Sequence, residues 1–306
     1  MSYNLEQDCN DLEKAMKGWG TDDSALIKII ANRKNKYRQD LKVKYKSMFG
    51  KDLVDELKKE TKGDFENAIV ALFYTPIDYD CNSLKKAMKG AGTDEDTLIE
   101  IIASRKNSEL KAIVKRYKEL FGKELEDDIK SDTNGDLEKI LVSLIQCNRS
   151  ENTRPNQSEM EKKAEELFAA GEGKWGTDES VFNKILATAS PAELIQIAKC
   201  YHQKTGKTIL QAIDSEFDGH MQKIYNTIVY AMISPSEYFA RRINEATKGF
   251  GTRDEALIRV CVTRDEIDMN QIKAFYQKLY NKTVLDTIKS ECSGSYKKLL
   301  IELVDH

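Results

Sequence analysis

The sequence predicts an all-α protein built from four homologous repeats, and three observations predict it. Glycine and proline are scarce, 16 and 4 among 306 residues, where a sandwich, barrel or collagen-like chain needs more. A short motif returns four times, as GWGT at Gly18 to Thr21, GAGT at Gly90 to Thr93, KWGT at Lys174 to Thr177 and GFGT at Gly249 to Thr252. Beyond each threonine the chain stays in register, without a gap, for about 55 residues.

Apolar residues at helical spacing follow each threonine: Leu26, Ile27, Ile29 and Ile30 in the first copy, Leu98, Ile99, Ile101 and Ile102 in the second. They predict a helix that the threonine opens. Ser24, Asp96, Ser180 and Glu255, three residues on, give a capping pattern that is strongest in the fourth copy, where glutamate completes a capping box. A second helix carries Tyr45, Tyr117, Tyr201 or Tyr276 and stops five residues later at Gly50, Gly122, Gly206 or Asn281. Glycine and asparagine tolerate the left-handed conformation that ends a helix. A third helix leads to an acid 39 residues past the threonine (Glu60, Asp132, Glu216, Glu291), and a fourth follows the glycine three residues later (Gly63, Gly135, Gly219, Gly294). With the helix before the motif, each repeat holds about five helices. The repeats are expected at 5–75, 77–147, 161–231 and 236–306. The polar stretch 148–160, NRSENTRPNQSEM, is the linker-like segment, and it is expected to separate two halves of two repeats.

Charge and termini exclude several classes. With 48 Lys and Arg against 51 Asp and Glu, the formal charge is −3, and a basic footprint for nucleic acid is absent. No apolar run approaches the roughly 20 residues that span a bilayer, and the acidic, polar N-terminus does not read as a signal peptide. The cysteines (Cys9, Cys81, Cys147, Cys200, Cys261, Cys292) stand singly, as reduced thiols of a cytoplasmic protein would. A catalytic reading finds little: His202, His220 and His306 have no partner at ligand spacing, and GxSxG and HExxH do not occur. YHQKTGKT (Tyr201 to Thr208) lacks the first glycine of a phosphate-binding loop, and DTNGD (Asp132 to Asp136) has its glycine two positions early for an EF-hand. The protein is therefore expected not to be an enzyme.

Glycine lets the interhelical motif turn backbone carbonyls to one side. If that loop lies beside the loop carrying the distant acid, each repeat offers about three carbonyls and one carboxylate, an oxygen shell suited to calcium and left incomplete for water or a lipid phosphate. A plain helix-connecting turn is the alternative for one such motif, but a turn requires no carboxylate 39 residues away in four copies. Trp19, Trp175 and Phe250 occupy the variable position of three loops, and tryptophan favours the headgroup level of a bilayer. These are the expected membrane-contacting residues.

The loop with its acid at fixed distance, four times over, closely resembles the annexin family, and the resemblance covers essentially the whole chain. It implies a curved disc of four five-helix domains whose convex face binds Ca2+ and docks on acidic phospholipid. The implied metal ligands are Met16, Gly18, Gly20 and Glu60; Met88, Gly90, Gly92 and Asp132; Thr247, Gly249, Gly251 and Glu291. In the third repeat the family's variant GExKWGT gives Gly171, Lys174 and Gly176 with Glu216. One departure is Ala189, where the other repeats have Arg33, Arg105 and Arg264, which puts a buried role for that arginine in doubt there. The four residues before the first repeat are too short for an amphipathic partner-binding tail, so no tail-mediated EF-hand partner is expected. The expected protein is cytoplasmic, peripheral on phosphatidylserine-like membranes when calcium rises, and monomeric in solution. Lateral assembly on the membrane, cytoskeletal linkage, a helical scaffold for protein partners and an ion channel stay open as alternatives.

Overall fold

The computed structural model describes residues 4–305 except 19, 91, 175 and 250. Among these there are twenty helices and no strand. Repeat one holds α1 (Leu5–Met16), α2 (Asp23–Ile30), α3 (Asn35–Phe49), α4 (Leu53–Glu60) and α5 (Gly63–Leu72). Repeat two holds α6 (Pro76–Ala87), α7 (Glu95–Ser104), α8 (Asn107–Phe121), α9 (Leu125–Asp132) and α10 (Gly135–Ile145). Repeat three holds α11 (Gln157–Ala170), α12 (Glu179–Thr188), α13 (Pro191–Thr205), α14 (Ile209–Glu216) and α15 (Gly219–Ile233). Repeat four holds α16 (Pro235–Thr247), α17 (Asp254–Arg264), α18 (Met269–Tyr280), α19 (Val284–Glu291) and α20 (Gly294–Val304).

The third helix of every repeat ends as its sequence requires. Gly50, Gly122, Gly206 and Asn281 adopt φ of 69°, 66°, 75° and 53°, and each amide closes the last turn on the carbonyl four residues back. The start of the second helix differs from expectation. The caps are Asp22, Asp94 and Asp178, one residue past the threonine, whose side chains accept from Ala25, Thr97 and Ser180 amides. In the fourth repeat Arg253 takes the position and gives no side-chain cap. The threonine hydroxyls are engaged elsewhere, as shown below.

The chain divides into two compact units, but not at the polar stretch: Met1–Tyr79 joins Phe239–His306, and Asp80–Tyr238 forms the other. In the first unit α5 packs on α17 and α2 on α20; in the second α10 packs on α12 and α7 on α15. Each unit thus pairs helix two of one repeat with helix five of the other in both directions. These central helices are buried well beyond one stripe, α7 along all of Thr97 to Ala103. Polar ties cross the same seams: Ser295 donates to Asp23, and Lys223 pairs with Asp96 at 2.5 Å.

Residues 148–160 stay inside the second unit and are pinned at several points. Arg149 Nη1 donates to the Leu186 and Ala189 carbonyls at 3.0 and 2.7 Å, the Ser150 amide to Thr188 at 2.7 Å, and Ser190 Oγ to the Asn152 carbonyl at 2.6 Å. Met160, fully buried, already belongs to α11.

An ion pair with an acid of the first helix holds two of the arginines noted in the sequence. Arg33 grips Asp8 at 2.8 and 3.0 Å, and Arg105 grips Asp80 at 2.8 and 2.9 Å. In repeat three Lys163 stands at the acid's helical position and pairs with Glu193 at 4.0 Å, so the arginine is dispensable. In repeat four Arg264 lies 4.4 Å from the Phe239 ring centre and binds Asp268 at 2.7 Å.

Candidate functional site

Each loop is closed by one backbone hydrogen bond. The amides of Asp22, Asp94, Asp178 and Arg253 donate to the carbonyls of Ala15, Ala87, Ala170 and Ala246 at 2.9, 2.9, 2.8 and 2.7 Å. This bond brings the two ends of the motif together and leaves the intervening carbonyls to a tight turn. Gly18 and Gly20 take φ of 119° and 88°, and a Cβ added at either would meet nothing within 4 Å. The backbone angle, not crowding, demands glycine there. The corresponding glycines of repeats two and four, and Gly176, share the sign of φ.

The threonine then joins the loop to the distant acid. In repeat one Thr21 Oγ1 donates to Glu60 Oε2 at 2.8 Å, and in repeat three Thr177 Oγ1 donates to Glu216 Oε2 at 2.8 Å. In repeats two and four the hydroxyl goes to the main chain of the same acid, Thr93 to the Asp132 carbonyl at 2.9 Å and Thr252 to the Glu291 carbonyl at 3.3 Å. There a serine holds the carboxylate: Ser131 donates to Asp132 Oδ2 at 2.9 Å and Ser290 to Glu291 Oε1 at 3.0 Å. All four sequence-predicted acids therefore lie beside their own loops. Glu60 and Glu291 are exposed, while Asp132 and Glu216 are half-buried.

The residues that precede each loop turn, Met16, Met88, Gly171 and Thr247, are buried, whereas Gly18, Gly20, Gly90, Gly92, Lys174, Gly176, Gly249 and Gly251 are exposed. The donor set around each acid is thus one carboxylate and exposed main chain. Among the described residues no cluster of three or more His, Cys, Asp or Glu side chains forms, so the chemistry on offer is carbonyl and carboxylate oxygen. That set fits a hard cation such as calcium, with room for further oxygens from solvent or a ligand. In repeat three a Cβ on Gly171 would stand 3.3 Å from Glu216 Cγ, so the acid packs directly on the loop. Trp19, Trp175 and Phe250 lie outside the described residues.

The sequence reading missed a second constellation beneath each site. The buried tyrosine of the third helix meets an acid or hydroxyl, and a lysine follows every helix stop: Lys51, Lys123, Lys207, Lys282. Tyr45 donates to Glu13, which Lys51 approaches at 3.4 Å. Tyr117 donates to Asp128 at 2.6 Å, joined by Lys85 at 2.7 Å and Lys123 at 3.7 Å. Burial alone would raise the Asp128 pKa, but the hydrogen bonds from Lys85 and Tyr117 outweigh it and hold the carboxyl below its usual value. Tyr201 donates to Glu172 at 2.8 Å, and Tyr276 shares a 2.9 Å hydrogen bond with Thr287. The lysine at offset 30 was visible in the register; the tyrosine's partner was not, because it comes from the first helix in repeat one, the fourth helix in repeats two and four, and the loop in repeat three.

Comparison with known proteins finds four repeats of one family in the chain. The annexin family model matches residues 7–72, 79–144, 162–228 and 238–303. Human Annexin A13 is 43% identical over 302 residues, covering 99% of this chain and 96% of the relative. Human Annexin A7 is 43% identical over 303 residues, and there the chain spans only 62% of the relative's length. Among solved structures, a point mutant of annexin A8 superposes with a TM-score of 0.96 at 42% identity, over 99% of this chain and 95% of that one. Calcium-bound annexin (Sm)1 gives 0.86 at 31% identity, over 99% and 90%. With four matched repeats, whole-chain relatives and the shared fold, the chain belongs to the annexin family.

Proposed function

We propose that the protein binds acidic phospholipid membranes in a calcium-dependent way, through its four interhelical loops and their distant acids. The carrying observation is the threonine bridge, which sets the acid against its loop in every repeat. Main-chain oxygens of Met16, Gly18 and Gly20 with Glu60 would hold the ion in repeat one, those of Met88, Gly90 and Gly92 with Asp132 in repeat two, those of Gly171, Lys174 and Gly176 with Glu216 in repeat three, and those of Thr247, Gly249 and Gly251 with Glu291 in repeat four. Bound calcium supplies positive charge that a headgroup phosphate shares. With one acid per loop the chain alone provides weak affinity, so ion and membrane bind together.

Charge supports the same reading. At −3 the protein has no electrostatic reason to approach an anionic leaflet, and four divalent ions would carry it to +5. Trp19, Trp175 and Phe250, at the loop tips in sequence, are proposed to enter the headgroup layer. Among the described residues no helix is long and apolar enough to cross a membrane, so attachment is proposed to be peripheral, from the cytoplasm. Sedimentation with phosphatidylserine vesicles tests the reading. The protein should pellet with calcium and stay in solution without it; pelleting without calcium, or none in either condition, refutes it.

A further inference from the structure

The loop of repeat three is built differently from the other three. Its closing hydrogen bond spans Ala170 to Asp178, one residue more than Ala15 to Asp22, Ala87 to Asp94 or Ala246 to Arg253. A longer loop has more conformations to lose when it takes up its working shape. Two residues past the closing alanine the other repeats carry lysine (Lys17, Lys89, Lys248), and repeat three carries Glu172.

Glu172 is held from below. Tyr201, 1% exposed, donates to its Oε2 at 2.8 Å, and Lys207 Nζ donates to its Oε1. In repeats one and two the acid that receives the same tyrosine is Glu13 of α1 or Asp128 of α9, and in repeat four a threonine, Thr287 of α19, takes its place. Only in repeat three does the receiving acid stand inside the loop, between the Gly171 and Lys174 positions. Two main-chain bonds continue the brace, Gly173 N to the Phe168 carbonyl at 2.7 Å and Lys174 N to the Gly171 carbonyl at 3.1 Å. A Cβ on Gly173 would fall 2.9 Å from that Phe168 oxygen, so the loop is pressed onto the end of α11.

We propose that Glu172, clamped by Tyr201 and Lys207, is a positioning residue that preorganises the repeat-three loop for its cation, a device not found among the described residues of the other three loops. The proposal rests on the calcium reading above. Removing a group that orients ligands lowers metal affinity by roughly tenfold or more, so the clamp sets the calcium response of this repeat separately from the rest.

The test uses the full chain with Glu60→Gln, Asp132→Asn and Glu291→Gln, which leaves the repeat-three site alone. Calcium is titrated without lipid by calorimetry, and amide hydrogen exchange is followed in calcium-free protein. Adding Glu172→Gln or Tyr201→Phe should weaken calcium binding by roughly tenfold and speed exchange at Gly173 and Lys174. Lys207→Met, at a side chain 55% exposed, should do the same in smaller measure without threatening the fold. Lys51→Met, in a chain keeping only the repeat-one site, should leave the affinity unchanged. Normal affinity in the Glu172→Gln and Tyr201→Phe chains overturns the clamp and leaves the calcium reading standing, and an equal loss from Lys51→Met overturns its restriction to repeat three. A parent chain that binds no calcium in this titration and does not pellet with phosphatidylserine vesicles in calcium overturns the calcium reading for this repeat, and the clamp with it.

Discussion

Asp80→Ala isolates what the buried ion pair of repeat two does for the fold. Asp80 and Arg105 side chains are each 5% exposed and share two hydrogen bonds, at 2.8 and 2.9 Å. Burial by itself would push the Arg105 pKa down, yet the Asp80 charge and hydrogen bonds outweigh it and raise it; the variant loses that support, but a guanidinium is effectively always protonated, so the charge stays in the interior unless the structure opens. Stranding a buried charge costs about 3–5 kcal/mol, a large share of the roughly 5–15 kcal/mol that holds a typical fold. Asp8→Ala should cost less, because Arg33 is 14% exposed and retains a ring contact with Tyr37. The double variant Asp80→Ala/Arg105→Ala should recover at least about 1 kcal/mol over the single one, since no charge is stranded. Urea unfolding followed by far-ultraviolet circular dichroism gives the numbers, with the slope in denaturant unchanged if only stability moves. Asp80 lies in the first half of α6 and Arg105 just past the end of α7, both outside the loop that joins these helices, so calcium-dependent pelleting of the folded variants should match the parent. A loss below about 1 kcal/mol for Asp80→Ala, or a double variant as unstable as the summed singles, refutes the argument.

Three further outcomes follow from the same geometry. Glu60→Gln, Asp132→Asn, Glu216→Gln and Glu291→Gln should each raise the calcium needed for vesicle pelleting without lowering helical content, and four unchanged requirements would reject the assigned acids. Gly50→Asn should be nearly neutral because Asn281 holds the same left-handed turn, whereas Gly50→Ala should cost about 1–2 kcal/mol by thermal unfolding. All six described cysteines are free and buried, and burial pushes the Cys9 and Cys292 thiols up to about 11. Little thiolate exists below that pH, so an aromatic disulfide reagent at pH 8 should label the native protein slowly and the urea-unfolded protein at once; fast native labelling would contradict the burial.

Helix number, helix stops and the acid beside each loop were legible in the sequence because each depends on one residue type at one offset. Gly50 and Asn281 show this for backbone angles, and Glu60 and Glu216 for the acid. Pairings between repeats were not legible. The polar composition of 148–160 reads as a break, but Arg149 and Ser150 are hydrogen-bonded to the end of α12, and a segment's polarity does not reveal that its donors are already used. The threonine's role was misplaced for a related reason. Thr21 has the chemistry of a helix cap, and local spacing favours that use, but Asp22 is nearer the amides and Glu60 arrives from the next loop to take the hydroxyl.

The four copies also differ in a way that separates backbone from side-chain constraint. The closing amide-to-alanine bond recurs four times at 2.7 to 2.9 Å, every loop has at least one glycine at positive φ, and every threonine hydroxyl bonds its acid residue, at the carboxylate in repeats one and three and at the carbonyl in repeats two and four. What braces them varies freely: the charge pair at the first helix is Asp8 with Arg33 in repeat one but Lys163 with Glu193, of opposite polarity, in repeat three. Either partner can supply either sign, and the repeat-three pair is looser and more exposed, with Lys163 31% exposed, so its geometry is less demanding. The loops take positive φ at their glycines, and few residues allow such backbone angles. The parts that recur in all four copies are therefore the loop backbone and its tie to the acid residue. Side-chain solutions diverge wherever the partner is internal, and the brace at Glu172 is the case in which such an internal solution has moved into the loop itself.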